Sequence, residues 1–235
     1  MKRAAGIAAP LLGVLLLAAC SGPGGGPRGR MGPPLRPIAE PSMVVATEMS
    51  FARAAQEKGQ WTAFAEFAAP EAVMFVPGPV KAKDWLKAQV NPPQAVRWQP
   101  YHVWSSCDGS LAVSKGAWQK PDGTQGYFTT IWQRQPDGSY KWVLDQGDAL
   151  ATPLEEPDMV QAEVADCAGK DDAAMGMAVA YSLPTIDEGS GEARDYSLSY
   201  FWGAFEDGGR QLSVYMRQGD AMEEVLRSQV SAPAP

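Results

Sequence analysis

Residues 110–148 read SLAVSKGAWQKPDGTQGYFTTIWQRQPDGSYKWVLDQGD. Two near copies of one phrase divide the stretch: Pro121-Asp122-Gly123-Thr124 and Pro136-Asp137-Gly138-Ser139. Proline presets one backbone torsion and glycine accepts a positive φ at no steric cost, so each phrase is a hairpin loop. Around the loops, bulky residues recur at every second position, the period of a strand. Phe128, Thr130 and Trp132 share one face of a strand over 125–135, and Tyr140, Trp142 and Leu144 share one face of a strand over 140–148. Strands over 96–105 and 110–120 complete an antiparallel meander. Both of its faces carry large side chains, which predicts a sheet covered on both sides or strongly curved.

Upstream the period lengthens. Ser42 is a candidate N-cap for a helix over Met43 to Lys58, with Val44, Val45, Met49, Ala52 and Ala55 at helical spacing and Gly59 ending it. Trp61, Phe64 and Phe67 mark a second short helix that Pro70 breaks. Ala72 to Val76 is a short apolar strand, Pro77-Gly78-Pro79 turns the chain, and Asp84-Trp85-Leu86 lies on a third helix closed by Asn91-Pro92-Pro93. Helices, one strand, a short helix and then a meander describe an α+β fold rather than a βαβ sheet.

These residues also carry a family resemblance. Phe51-Ala52-Arg53-Ala54-Ala55, Gly59, Ala63-Phe64, Ala72-Val73, Phe75, Pro77-Gly78-Pro79 and Trp85-Leu86 resemble the opening of SnoaL-like domains, members of the nuclear transport factor 2-like superfamily. Trp98-Gln99-Pro100, Gly126-Tyr127-Phe128, Trp132-Gln133-Arg134-Gln135 and Lys141-Trp142-Val143-Leu144-Asp145 continue it, so that it covers residues 42–150. The resemblance implies a cone: a curved antiparallel sheet wrapped around N-terminal helices, with an apolar pocket at the open end. Members include isomerases, cyclases and dehydratases, and many proteins with no reaction. They often dimerise through the sheet's outer face, where Trp104 or Trp142 could serve.

Residues 151–228 form a β-rich extension. Pro153, Glu155, Glu156, Pro157 and Asp158 belong to a connector. Leu198, Tyr200, Trp202 and Ala204 alternate, Asp207-Gly208-Gly209 turns, and Leu212, Val214 and Met216 alternate again: a second hairpin, followed by a short element around 223–226. A unit of ~75 residues with one modest core is marginal alone, so the extension is expected to pack on the cone. Residues 229–235 are a tail.

The chain opens MKRAAGIAAPLLGVLLLAAC. Lys2 and Arg3 precede an apolar run too short for the ~20 residues of a stable membrane span, the form of a secretory leader over 1–19. Leu17-Ala18-Ala19-Cys20 resembles the lipobox of bacterial lipoproteins, which implies cleavage before Cys20 and lipid on its thiol. Several acyl chains at ~0.8 kcal/mol per buried CH₂ give stable attachment. Ser21, where an Asp often marks inner-membrane retention in such proteins, implies the outer membrane, facing the periplasm. Residues 20–41, rich in Gly and Pro, read as a disordered tether.

Composition sets limits. The net charge is −7, and loss of Lys2 and Arg3 brings the mature chain near −9. Without a Lys/Arg cluster there is no electrostatic footprint for nucleic acid, and an acidic surface disfavours spreading on anionic lipid. A hydrophobic share of 45% suffices for a real core. With Cys20 lipidated, Cys107 and Cys167 remain. An oxidising envelope favours a disulfide between them, worth roughly 4 kcal/mol, over free thiols. A catalytic Cys would need a partner, and the only His is His102.

No metal-ligand spacing, phosphate-cradling glycine loop or nucleophile motif occurs, so neither metal nor cofactor is expected. Trp61, Trp98, Trp118 and Trp132 are candidate pocket walls, and plain core is the other reading of each. The resemblance to isomerases suggests a pocket carboxylate that moves a proton beside a carbonyl: Asp145 or Asp148 as base, with Tyr101 or Tyr127 as donor. The expectation is a membrane-anchored protein, as monomer or homodimer, that binds a small apolar or amphipathic ligand or a protein partner without catalysis. The alternative is an isomerase or lyase that uses Asp145.

Overall fold

The computed structural model describes residues 39–167 and 184–232. The leader, Cys20 and nearly all of the tether lie outside the described residues, as does the end of the tail.

The first helix, α1, spans Pro41–Lys58. It starts ahead of Ser42: Glu40 is the N-cap without a side-chain bond, and Pro41 takes the first turn, where its missing N–H costs nothing. Gly59, at φ 101°, ends α1 and begins α2 (Gln60–Phe67). The cap of α2 comes from a distance, since Asn91 Oδ1 accepts from the N–H groups of Trp61 and Thr62. A Cβ on Gly59 would sit 2.4 Å from the Asn91 side chain, so glycine serves both torsion and approach. Pro70 does not end α2. The chain is already extended in β1 (Ala68–Phe75), and Pro70 falls where pairing with the neighbouring strand is interrupted. Strand β2 (Pro79–Lys81) and helix α3 (Ala82–Leu86) follow.

The meander forms as its loops require: β3 (Arg97–Ser105), β4 (Leu111–Gln119), β5 (Gln125–Arg134) and β6 (Tyr140–Ala149). Gly123 and Gly138, at φ 89° and 85°, turn the two Pro-Asp-Gly loops. Strand β1 joins β6 in parallel, and β7 (Gln161–Val164) joins β3 in parallel, giving the seven-stranded order β2-β1-β6-β5-β4-β3-β7.

One face of this sheet packs on the helices through Phe51, Ala63, Val103, Trp132 and Trp142. The other is covered by a second sheet, order β11-β10-β9-β8, formed by β8 (Thr185–Glu192), β9 (Leu198–Phe205), β10 (Arg210–Gln218) and β11 (Ala221–Val230). Leu198, Trp202, Leu212, Val214 and Met216 meet Trp104, Leu111, Val113, Ile131 and Leu144 between the sheets. The extension is therefore larger than one hairpin and a short element. It is a four-stranded sheet, its last strand runs through Val230, and it lends β7 to the first sheet.

Two expectations are corrected by this layering. Trp104 lies under the second sheet and Trp142 among the helices, so neither lies on a surface open to a second copy. Tyr140, Trp142 and Leu144 do not share a face either. Trp132 pairs with Trp142 and Ile131 with Leu144, which leaves Val143 as an extra residue in β6. This β-bulge sends Trp142 to the helix side, Leu144 to the sheet side and Asp145 back to the helix side.

Candidate functional site

Residues 44, 48, 51 and 55 stand at i, i+4, i+7 and i+11, one stripe of a helix. In α1 these are Val44, Glu48, Phe51 and Ala55, and all four are buried. The apolar stripe expected from helical spacing included Met49, which is 55% exposed. The true stripe contains a glutamate. Glu48 is 0% exposed and takes three hydrogen bonds: Trp98 Nε1 donates to Oε1 at 2.8 Å, while Ser114 Oγ at 2.5 Å and Trp132 Nε1 at 3.1 Å donate to Oε2. Burial pushes its carboxyl above the ordinary range, against the pull of those donors.

Beside Glu48 opens a cavity of about 350 Å³ between the helices and the concave face of the first sheet. Trp61, Trp98 and Trp118 line it together with Phe51, Phe64 and Phe128. The rings pack edge to face: Phe51 with Phe64 and with Trp98 at 4.8 Å, and Trp61 with Trp85 at 5.2 Å. Asp145 faces the cavity from β6, and Thr130, its cross-strand partner on β5, donates Oγ1–H to Oδ2 at 2.7 Å. Burial first, and the nearby Glu48 carboxyl, raise Asp145 to about 7, although the Thr130 bond opposes the shift. A carboxyl titrating near neutrality in a ring-lined cavity can bind a polar group in either protonation state, or hand a proton across.

The structure gathers some of the sequence-selected residues and disperses others. Trp132 does not line the cavity; it is fully buried and donates to Glu48 from behind. Tyr127 points to the opposite face, where its hydroxyl lies 2.8 Å from Ser228 Oγ under the second sheet. Tyr101 is the extra residue at a bulge in β3 and lines a separate depression with Arg97, Gln99 and Pro153. Neither tyrosine accompanies Asp145. Asp148 is exposed and accepts from the Ala149 N–H. Cys107 and Cys167 are joined in a disulfide. His102 Nε2 lies 2.8 Å from Glu163 Oε1, with its ring stacked on Trp104 at 3.9 Å. Among the described residues, no three His, Cys, Asp or Glu side chains gather as a metal set.

Glu48 was missed because composition counts it as polar. The 44/48/51/55 spacing was the available signal.

No family model matches the chain, and no curated protein matches it. Solved structures do. A protein from Parabacteroides distasonis, named provisionally a ketosteroid isomerase, is 17% identical over 49% of this chain and 90% of its own, with a TM-score of 0.38. A nuclear transport factor 2-like protein of unknown function from Shewanella baltica is 9% identical over 48% of this chain and 99% of its own, with a TM-score of 0.36. A protein of unknown function with a cystatin-like fold from Methylobium petroleophilum is 10% identical over 53% and 86%, with a TM-score of 0.35. At these scores the likenesses carry no argument about activity or ligand.

Proposed function

We propose that this protein is an envelope lipoprotein whose helix-and-sheet domain binds a small apolar or amphipathic molecule in the cavity above Glu48, with Asp145 reading the polar group of the ligand. One observation carries the reading: a cavity of about 350 Å³ walled by aromatic rings, with a carboxyl facing into it. That is the size and the mix of apolar wall and sparse polar contact typical of small-molecule sites. The anchoring half of the reading rests on the leader and on Leu17-Ala18-Ala19-Cys20, and the Cys107–Cys167 bond suits an oxidising compartment.

Native mass spectrometry of the intact protein, purified gently from the envelope, tests the binding reading. An added mass that disappears on denaturation, and is absent from Trp98→Ala and Trp118→Ala variants, is the expected result. A bare mass in every preparation turns the reading toward a protein-interaction module. Metabolic labelling with a fatty acid tests the anchor: Cys20→Ser should remove both the label and the membrane attachment.

A second reading, an isomerase or lyase with Asp145 as base, is favoured by the carboxyl's titration near 7. It lacks the tyrosine donors first considered, since Tyr101 and Tyr127 lie elsewhere. Asp145→Asn separates the two. An enzyme converts its substrate and loses that turnover in the variant while keeping its fold, whereas a binder returns its ligand chemically unchanged and in the variant binds it more weakly.

A further inference from the structure

The walls and the floor of the cavity differ in chemistry, and the difference points to one class of occupant. Phe51, Trp61, Phe64, Trp98, Trp118 and Phe128 line the interior. Ring faces are the negative side of the aromatic quadrupole and attract cations within ~6 Å, most strongly for Trp. One wall already holds a cation: Lys120 Nζ lies 5.6 Å from the centre of the Trp118 ring, and both residues line the cavity. At the floor, both oxygens of Glu48 are occupied by donors from the protein. Asp145 differs. Its Oδ2 accepts from Thr130, and Oδ1 takes no hydrogen bond from a described residue.

We propose that the occupant of this cavity is an apolar organic cation, an ammonium on a compact hydrocarbon body, with its nitrogen held between the Asp145 carboxyl and the tryptophan faces. The proposal rests on the small-molecule reading above and adds the charge of the ligand. Apolar bulk fills the ring-lined volume, while the ammonium supplies the donor that Oδ1 lacks and the charge that both rings and carboxyl favour. Of the charged residues lining the cavity besides Asp145, Glu48 from α1 acts on the Asp145 carboxyl, and Lys120, one residue past the end of β4, stands over the Trp118 ring. The lining residues of α2, β1 and β5 are uncharged. Glu48 disfavours ionisation of Asp145, and a bound ammonium reverses that balance. Binding near neutrality therefore releases the Asp145 proton to the buffer.

Calorimetric titration of the full chain with 1-adamantylamine and 1-adamantanol, which share one hydrocarbon cage, isolates the charge. At pH 8 the amine should bind at least about tenfold more tightly than the alcohol. At pH 5, where Asp145 keeps its proton, the ratio should collapse toward one. Asp145→Asn should collapse it at pH 8. Should that variant fail to fold, Lys120→Gln serves: removal of the competing ammonium should raise the affinity for the amine several-fold. Equal binding of amine and alcohol at pH 8, a preference that survives Asp145→Asn, or a weaker amine with Lys120→Gln overturns the proposal and leaves the pocket reading standing. Failure of both ligands to bind overturns the cation proposal and the pocket reading together.

Discussion

Glu48 sits where a leucine would be unremarked, and the protein surrounds its carboxyl with two indole N–H groups and one hydroxyl. Removal of an acceptor leaves donors stranded in a dry interior, which costs more than the hydrogen bonds contributed. Glu48→Ala should therefore lower stability by about 3 kcal/mol, and Glu48→Gln by less, because the amide oxygen still accepts. Urea denaturation reads both, and a Glu48→Ala midpoint equal to the parent's would refute the account. Asp145 makes a prediction in pH. Its folded value of about 7 lies above its ordinary 3.8, so folding favours the protonated form. That stabilisation is complete below pH ~4, declines as pH rises, and is gone above pH ~7. Glu48 shifts in the same direction. The stability difference between the parent and Asp145→Asn should fall between pH 4 and pH 7 and level off above; a difference independent of pH would contradict it.

At the scale of elements, the bulge at Val143 decides the site. A strand with strict alternation cannot place both Trp142 and Asp145 on the helix side, because they stand three residues apart. One extra residue resolves the conflict. Deletion of Val143 brings Trp142 and Asp145 two residues apart, which strict alternation places on one face, so the variant should keep both on the helix side and lose only the contacts of one half-buried valine, about 1–2 kcal/mol in urea; a loss of about 3 kcal/mol or more, as for a buried aromatic, would show that the bulge itself is required. The meander itself was legible in the sequence, with strand ends within about two residues, because Pro-Asp-Gly loops declare their geometry locally. The bulge was not, since Val143 looks like any strand residue and only pairing with Ile131 and Trp132 makes it supernumerary. The cap on α2 was hidden for the same reason: Asn91 lies about 30 residues from the N–H groups it serves.

Across the whole molecule, the second sheet seals the first. It covers the outer face of the first sheet with Leu198, Trp202, Leu212 and Val214, and Arg210 reaches across to donate to the Gly147 carbonyl at the cavity's edge. The disulfide ties the turn after β3 to the segment after β7. It closes a separation of 60 residues, for which the chain-entropy estimate is about 4 kcal/mol. Replacement of both Cys107 and Cys167 by Ser should reduce unfolding stability by roughly that amount in urea, with the secondary structure seen by circular dichroism retained. Stability equal to the parent's would mean that the cross-link adds nothing to the packing around it.

What the sequence determined by itself was whatever nearest neighbours along the chain decide: the α+β order, the hairpin loops, the strands of the meander and the end of α1 at Gly59. Tertiary structure alone decided which face each side chain meets. It buried Glu48, turned Asp145 inward, drew Tyr101 and Tyr127 away from it and closed the outer face with the chain's own sheet. The reason is physical. Turn and helix signals are torsional preferences of a few adjacent residues, whereas burial, bulge register and carboxyl titration depend on residues tens of positions apart that meet only once the sheet has closed over the helices.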